Sequence, residues 1–496
     1  MPAFLVSRAV VQRLFLPFVL LGLSACASVS PPPTPGSCDA RYVALEELAA
    51  QRGIALSDPR RVPGFPSLGT NRSLASFDPG RLSLQQRADW LARLQAAGLA
   101  RRQLLQRMLL DSSAFAPLPD HWDAGLQSCD VAHSLAAHDP ALDWQALRSA
   151  VKVDDDYLLS RRILGLYPLS SIFAGLGVQS LQNSIYDSYA QPLSEIPQSG
   201  RLVRYALPEP TQPGKSTQAE TTPLIEIARD SLGLRLDQRS ATALKDLFVQ
   251  HAPGLEIDES GVYDIPGEPY FDQSGYPGVA TESSYAYYYA SLMPFAGELR
   301  LQLNYVFWFA ERPPEHAMDS LSGVLDGLVW RVTLDSAGEV LLYDSIHPCG
   351  CYQQFFLSDR VEARPENARL REPPLLPQKA PPASAPVLRL SSGAHYLQRV
   401  YTRPAKVARD VTERSYTLAD YSELYSRQSA QGFRSLFDPD GFVPRTERGE
   451  RFYLWPMGIR SPGAMRERGR QPTAFVGRRH FDDANLLDTL FQLRQP

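Results

Sequence analysis

The stretch 299–351 constrains the fold of this chain most strongly, because it has the pattern of three consecutive β-strands. Apolar residues at every second position of 299–309 alternate with Arg300, Gln302 and Asn304, the period of a strand with one buried face. A second apolar run, 327–334, is followed by Asp-Ser-Ala-Gly at 335–338, a composition typical of a hairpin turn, and then by a third run at 340–344. The pattern predicts an antiparallel meander.

The segment after the third strand has the densest reactive chemistry in the chain, with three such side chains within five residues: His347, Cys349 and Cys351. In an up-and-down meander, the loop 310–326 and the segment 345–351 lie at the same edge of the sheet. His316 and Asp326 are therefore predicted to lie beside these residues, and His395, at the start of a later strand, at the opposite edge. Functional residues concentrate in loops on a rigid scaffold, so this edge is the predicted site.

One interpretation of this edge is a zinc or copper site. Thiolate and imidazole are suitable ligands for both metals, and a closed site needs about four of them. The candidate ligands are His347, Cys349, Cys351 and His316. The single Cys-x-Cys does not have the spacing of paired zinc-binding cysteines.

A second interpretation is a thiol-dependent enzyme, in which Cys349 is a nucleophile or redox thiol. His347 would lower the pKa of the thiol, and Asp326 or Asp344 would orient the imidazole. The third and favoured interpretation is structural: Cys349 and Cys351 form a short-range disulfide or a buried thiol pair that fixes the turn, and His347 bonds a backbone carbonyl. Signatures of serine hydrolases, zinc proteases, P-loops and dinucleotide-binding folds are absent from the sequence.

The N-terminus has the pattern of a secretory signal. Arg8 and Arg13 form a positively charged segment before an apolar run at 14–23. Leu-Ser-Ala-Cys follows at 23–26 and has the small residues of a cleavage site. This pattern resembles the signal peptide and lipobox of bacterial lipoproteins, and the resemblance covers these 26 residues only. It implies cleavage after residue 25 and acylation of Cys26, by palmitate or a similar chain. Ala27, in the position after the cysteine, implies a lipid-anchored protein of the outer membrane that faces the periplasm.

The remaining chain is predicted to have an α+β fold, in which a mostly helical N-terminal domain precedes an antiparallel β-sheet domain with Pro-rich loops. Apart from Cys26, the chain has an even number of cysteines, and the favoured long-range pair is Cys38 with Cys129. The predicted boundaries are a signal peptide (1–25), a Pro-rich tether (26–37), a helical domain (38–200), a linker (201–222), a sheet domain (223–361), an exposed Pro-rich insertion (362–386) and a C-terminal α+β part (387–496).

The predicted function follows from location more than from chemistry. The net charge of −4 on 496 residues predicts no nucleic acid partner and no general attraction to anionic surfaces. The long Pro-rich connectors and the lack of a complete catalytic constellation favour a binding or scaffolding lipoprotein, anchored to the membrane through Cys26 and holding an envelope protein partner. The alternative is a metal- or thiol-dependent envelope enzyme, a hydrolase or redox protein, that uses the His347/Cys349/Cys351 edge.

Overall fold

The computed structural model describes residues 34–113, 117–135, 142–208, 223–382, 385–403, 411–430 and 432–495. The predicted signal peptide, Cys26, most of the tether and residues 209–222 of the predicted linker lie outside these ranges. Within them the fold is α+β: long helices dominate before residue 200, and mostly antiparallel sheets follow, as the sequence predicts.

The helices of the described residues include two long ones, α3 and α7, and several short ones. They are α1 (Cys38–Gln51), α2 (Arg72–Ala75), α3 (Leu84–Ser112), α4 (Leu126–Leu135), α5 (Trp144–Ala150), α6 (Leu159–Leu164), α7 (Tyr167–Ala190), α8 (Pro223–Glu226), α9 (Ala241–Gln250), α10 (Arg451–Leu454) and α11 (Leu486–Leu490). Ser83 opens α3 with a capping box, in which the Ser83 hydroxyl and the Gln86 side chain each accept from the other residue's backbone N–H. No helix in the described part of the chain is long and apolar enough to cross a membrane.

The strands fall into two large sheets and several two-stranded ribbons. They are β1 (Arg60–Val62), β2 (Phe65–Thr70), β3 (Arg201–Ala206), β4 (Arg229–Asp230), β5 (Gly233–Leu234), β6 (Gly254–Glu259), β7 (Glu268–Phe271), β8 (Pro277–Ala280), β9 (Tyr285–Phe295), β10 (Glu298–Arg312), β11 (Gly323–Leu334), β12 (Val340–Ile346), β13 (Gln354–Leu357), β14 (Val361–Ala363), β15 (Val387–Leu390), β16 (Leu397–Tyr401), β17 (Thr412–Ser415), β18 (Thr417–Asp420), β19 (Arg427–Ser429), β20 (Gly432–Arg434) and β21 (Phe491–Leu493).

The first large sheet contains the predicted meander. Its strand order is β13-β12-β11-β10-β9-β18, and only the outer β18–β9 pair is parallel. The three predicted strands are β10, β11 and β12, and each is longer than the apolar run that predicts it. The predicted loop 310–326 is shortened accordingly to 313–322, which places Asp326 inside β11, opposite Phe309 of β10.

The second large sheet has the order β16-β15-β6-β3-β17 and shares a hydrophobic core with the first. The predicted strand that begins near His395 is β16, and it forms a hairpin with β15. β15 does not extend the meander; it pairs in parallel with β6, about 130 residues earlier in the chain. Residues 201–206, predicted as the start of a linker, form the strand β3 between β6 and β17.

The first sheet is buried on both faces, which corrects the prediction of a half-buried strand. One face packs on the second sheet, and the other on α1, α3, α4 and C-terminal segments. The polar positions of β10 are therefore inside the protein: Arg300, Gln302 and Asn304 are each at most 6% exposed. The alternation of side chains along β10 is present. One face of the strand lies in an apolar core, and the polar residues of the other face are also buried.

Two further predictions meet the structure outside the sheets. Cys38 and Cys129 form the favoured disulfide, which joins α1 to α4. The Pro-rich segment 362–386 is not simply an exposed insertion. Its Leu375 is buried and accepts a backbone hydrogen bond from Phe355, and Glu372 is 8% exposed beneath backbone N–H groups of Phe475 and Val476.

Candidate functional site

The site is built around Asp326, which lies in β11 where that strand faces Phe309. The carboxylate is 1% exposed. Leu325 precedes it with a φ of +55°, a left-handed conformation that is rare for a leucine. Gly327 follows because a Cβ there would lie 2.4 Å from the backbone oxygen of Phe307. The backbone is thus specialised on both sides of this carboxylate.

Two histidines hold Asp326, one on each carboxylate oxygen. Nδ1 of His347 lies 3.2 Å from Oδ1, and Nδ1 of His395 lies 2.8 Å from Oδ2. Arg448 adds a guanidinium 3.5 Å from Oδ1. Although burial alone would raise the pKa of Asp326, His347, His395 and Arg448 keep that pKa well below its usual range. Asp326 is therefore a permanent buried anion.

His395 lies between two carboxylates. Its Nε2 is 3.5 Å from Oδ1 of Asp264 and 3.1 Å from the carbonyl oxygen of Tyr263, and its ring stacks on Phe309 with centroids 4.0 Å apart. Although burial opposes the imidazolium, hydrogen bonds to Asp264 and Asp326 raise the pKa of His395. His395 is fixed on both sides and links β11 to the second sheet.

The sequence predicted His395 at the opposite edge, and this prediction is wrong. It assumed that the hairpin around 387–401 continues the meander. Because the hairpin joins the second sheet instead, its turn folds over the end of β11 and brings His395 onto Asp326. The φ of His395 is +51°, a second left-handed residue at this site.

His347 differs from His395 in having one free side. Its Nδ1 is occupied by Asp326, and among the residues that the structure describes no hydrogen-bond partner reaches its Nε2. The ring of Tyr352 lies edge-on to it at 4.9 Å, and that of Tyr396 at 5.9 Å. Tyr352 has a φ of +61°, the third strained non-glycine residue here. Such residues persist only where the surrounding structure enforces them, and they cluster at functional sites.

The two tyrosines form a polar relay with an arginine. The Tyr396 hydroxyl donates to the Tyr352 hydroxyl at 2.9 Å, and Arg312 of β10 donates to Tyr396 at 2.8 Å. Burial raises the pKa of both phenols, so both stay protonated donors at neutral pH. This relay separates the Asp326 network from a cavity.

The cavity has a volume of about 530 Å³ and lies beneath one face of α7. Its polar groups come from Tyr352, Tyr396, Glu450, Ser170 and Tyr453. The rest of its wall is apolar and comes from α7, α10 and neighbouring loops: Phe173, Ala174, Val178, Leu454, Met457 and Phe475. A mostly apolar cavity of this size with a few convergent polar groups is the usual form of a small-molecule site.

Glu450 is the most unusual group of this wall. It is 5% exposed, and no hydrogen bond to its carboxylate is present among the described residues. Burial raises the pKa of Glu450 to about 7, and Arg448 and Arg312 offset only part of that effect. Charging a mostly buried carboxyl is costly, so its own proton or a polar partner on the cavity side stabilises it.

Cys349 and Cys351 are reduced and buried, which matches the buried-thiol form of the structural interpretation. Its other part, a bond from the His347 ring to a backbone carbonyl, is wrong, because Nδ1 of His347 faces Asp326. The turn is closed by hydrogen bonds from the backbone N–H of His347 to the oxygen of Cys351 and from Gly350 to the oxygen of His347. The Cys351 backbone N–H also donates to Sγ of Cys349 at 3.4 Å. A hydrogen bond to Cys349 and burial raise the pKa of the Cys351 thiol. An activated thiol has a lowered pKa, so the Cys351 thiol is not activated.

The metal interpretation gains no support. His316 is exposed in the loop 313–322. Across the described ranges, no group of three His, Cys, Asp or Glu side chains has an arrangement that could hold a metal ion. Asp344, the alternative partner of the imidazole, instead forms a buried bidentate pair with Arg331.

The sequence therefore brought Asp326 and His347 together correctly but missed most of the site. His395, Asp264, Tyr352, Tyr396, Arg312, Arg448 and Glu450 are the residues that it missed or misplaced. Of these, only Tyr352 could have been predicted from the sequence, because it directly follows the His347–Cys351 segment. Comparisons of the chain with protein-family models, with curated proteins and with solved structures found no match.

Proposed function

We propose that this chain is a lipid-anchored protein of the outer membrane, facing the periplasm, that binds an apolar small molecule in the cavity beneath α7. The observation that carries the binding function is Glu450, a mostly buried carboxyl with no hydrogen-bond partner among the described residues, in the wall of a mostly apolar cavity. The lipobox at Cys26 supports the location.

The Asp326 network supports binding by making the polar end of the cavity rigid. Tyr352 and Tyr396 are held by Arg312, by each other and by packing against His347. Rigid, pre-oriented donors cost little entropy when a ligand binds. The ligand that fits has an apolar body and one hydrogen-bonding group for Glu450 or the phenols.

Binding is tested with the fluorescent apolar probe N-phenyl-1-naphthylamine. A Cβ at Gly177, on the cavity wall, meets no atom within 4 Å, so Gly177→Phe can fill the cavity without a backbone clash. We expect saturable binding to the wild type at one probe per chain and its loss in Gly177→Phe. Ser180→Phe, on an exposed position of the same helix, is the matched control and should bind normally. Equal binding by all three proteins would refute the proposal.

A second candidate function is acid–base catalysis on the same ligand. The observation that favours it is the Asp326–His347 pair, in which the carboxylate holds Nδ1 and leaves Nε2 free to act as a base. Tyr352 and Tyr396 stand between this imidazole and the cavity, which favours binding as the main function. Turnover of p-nitrophenyl acyl esters that is lost in His347→Gln, with probe binding intact, would establish catalysis. Binding without turnover leaves a binding protein.

A further inference from the structure

The outer side of α7 carries an apolar stripe that faces solvent. Leu169, Ile172, Phe173 and Leu176 are 61%, 53%, 75% and 61% exposed. Their spacing of i, i+3, i+4 and i+7 places them on one side of the helix. Apolar helical stripes of this kind normally face a core. Here the stripe faces outward, which calls for a partner.

The preceding helix extends the stripe. In α6, Ile163 and Leu164 are 65% and 76% exposed. We call these two residues, together with Leu169, Ile172, Phe173 and Leu176, the apolar face. A contiguous exposed apolar surface on a protein usually marks a site of interaction with another protein or with a membrane.

The apolar face is continuous with the cavity. Phe173 belongs to the face and also lines the cavity. Tyr453 of α10 is exposed and lines the cavity too. On its inner side α7 presents Ala174, Gly177 and Val178 to the cavity. The first half of α7 is therefore apolar on two sides and forms a thin wall between the cavity and whatever covers the face.

The composition of the face favours a lipid surface over a protein partner. Five of its six members are leucine or isoleucine, whereas protein interfaces are enriched in aromatic residues, methionine and arginine. Arg161 and Arg162 lie next to the face, and no acidic residue occurs between Asp156 and Asp187. Although the whole chain is close to neutral, this segment carries only positive charge. Arg161 and Arg162 donate to the carbonyl oxygens of Ile459 and Met457, which holds that charge beside the face, where it complements anionic lipid headgroups.

The predicted anchor keeps a membrane within reach. Cys26 and Cys38, at the start of α1, are twelve positions apart, so this segment spans at most about 43 Å when extended. We propose that the apolar face of α6 and α7 lies on an anionic phospholipid bilayer, so that the cavity behind it exchanges its apolar ligand with that bilayer. The exchange rests on the proposed binding function; the contact with the bilayer does not.

The test is flotation with phosphatidylethanolamine/phosphatidylglycerol vesicles. It uses a chain that begins at Thr34, which has no lipid anchor and retains every described helix and strand. We expect this chain to float with the vesicles, and Leu169→Glu/Leu176→Glu to weaken its partitioning by more than about tenfold, because two leucines no longer bury apolar surface. Both positions are exposed, so the substitutions leave the core intact.

The matched control is Leu110→Glu/Val249→Glu, which adds the same charges at exposed apolar positions of α3 and α9. It should float like the wild type. An equal loss in this variant, or no flotation of the wild type, would overturn the proposal. So would a wild-type dimer that becomes monomeric in Leu169→Glu/Leu176→Glu while flotation is unchanged, since the face would then bind a second copy of the chain. Probe binding in the cavity, lost in Gly177→Phe, tests the ligand function separately.

Discussion

Among the single residues of the site, Asp326 is the buried negative charge around which the basic side chains are arranged. One buried anion faces two imidazoles and a guanidinium, and Asp264 provides a second anion behind His395. Removing one member of a buried charged network typically costs several kcal/mol, because the remaining charges lose their partners. The network therefore makes the edge of the sheet rigid, and its protonation can be read from stability.

The raised pKa of His395 predicts a specific dependence of stability on pH. The unfolded imidazole titrates near pH 6.5, so the contribution of His395 is complete below that pH and is lost as the pH rises through the higher folded pKa. His395→Asn removes this contribution, and asparagine tolerates the left-handed backbone. We expect a loss of about 3–5 kcal/mol at pH 6 that shrinks towards pH 9. The unfolding free energies of wild type and variant are measured by denaturant unfolding at each pH. A difference between them that stays constant from pH 6 to pH 9 would contradict the prediction.

Glu450 predicts a stabilising substitution. Its folded pKa of about 7 lies above the unfolded value, so the carboxyl increasingly destabilises the fold as the pH rises from about 4.5 to 7. Glu450→Gln keeps the shape without the charge. Relative to the wild type, the variant should gain up to about 3 kcal/mol in unfolding free energy between pH 4.5 and pH 8. Glu447→Gln, a partly exposed neighbour, is the control and should show no such gain.

The residues of the site differ in how far the sequence could predict them. Asp326 and His347 lie on neighbouring strands of a meander with a tight turn, so the alternation and the hairpin motif were enough to bring them together. His395 lies 69 residues from Asp326, and Asp264 a further 62 before that. Their positions depend on parallel pairing between β15 and β6. The hydrophobic pattern of β15 or of β6 does not predict which sheet the strand joins.

The same limit appears for whole elements. The pattern identified β10, β11 and β12 because their turns are local. Strand β3 was predicted as part of a linker, since Arg201–Ala206 has no hairpin partner nearby in sequence. It becomes a strand only because β6 and β17, distant in sequence, lie on either side of it.

The turn after β12 depends on Gly350. Its φ is +96°, and a Cβ would lie 2.2 Å from the backbone oxygen of Pro472. We expect Gly350→Ala to cost more than about 3 kcal/mol, because both strain and a backbone clash must be relieved. Gly275→Ala tests strain alone, with a φ of +75° and no atom within 4 Å; it should cost about 1 kcal/mol. Equal costs in thermal unfolding would show that the turn can shift.

At the scale of the whole molecule, the helical part and the sheets share their cores. Residues of α1 and α3 such as Tyr42, Leu105 and Met108 belong to the same buried cluster as Trp308 of β10 and Ile346 of β12. Arg93 of α3 forms a buried bidentate pair with Asp230 of β4. The predicted boundary near residue 200 is a change in secondary structure and not a gap in packing.

We therefore expect the chain from Thr34 to unfold in one transition, with near-ultraviolet circular dichroism and tryptophan fluorescence changing together. A chain that begins at Gly200 should lack the native near-ultraviolet spectrum, because deleting the helices exposes one face of the first sheet to water and removes the α7 wall of the cavity. Two separate transitions, or a native spectrum from the shorter chain, would instead show that the sheets fold alone. In that case the helices would be a module docked on a complete sheet domain, and deleting them could test what they bind without disturbing Asp326.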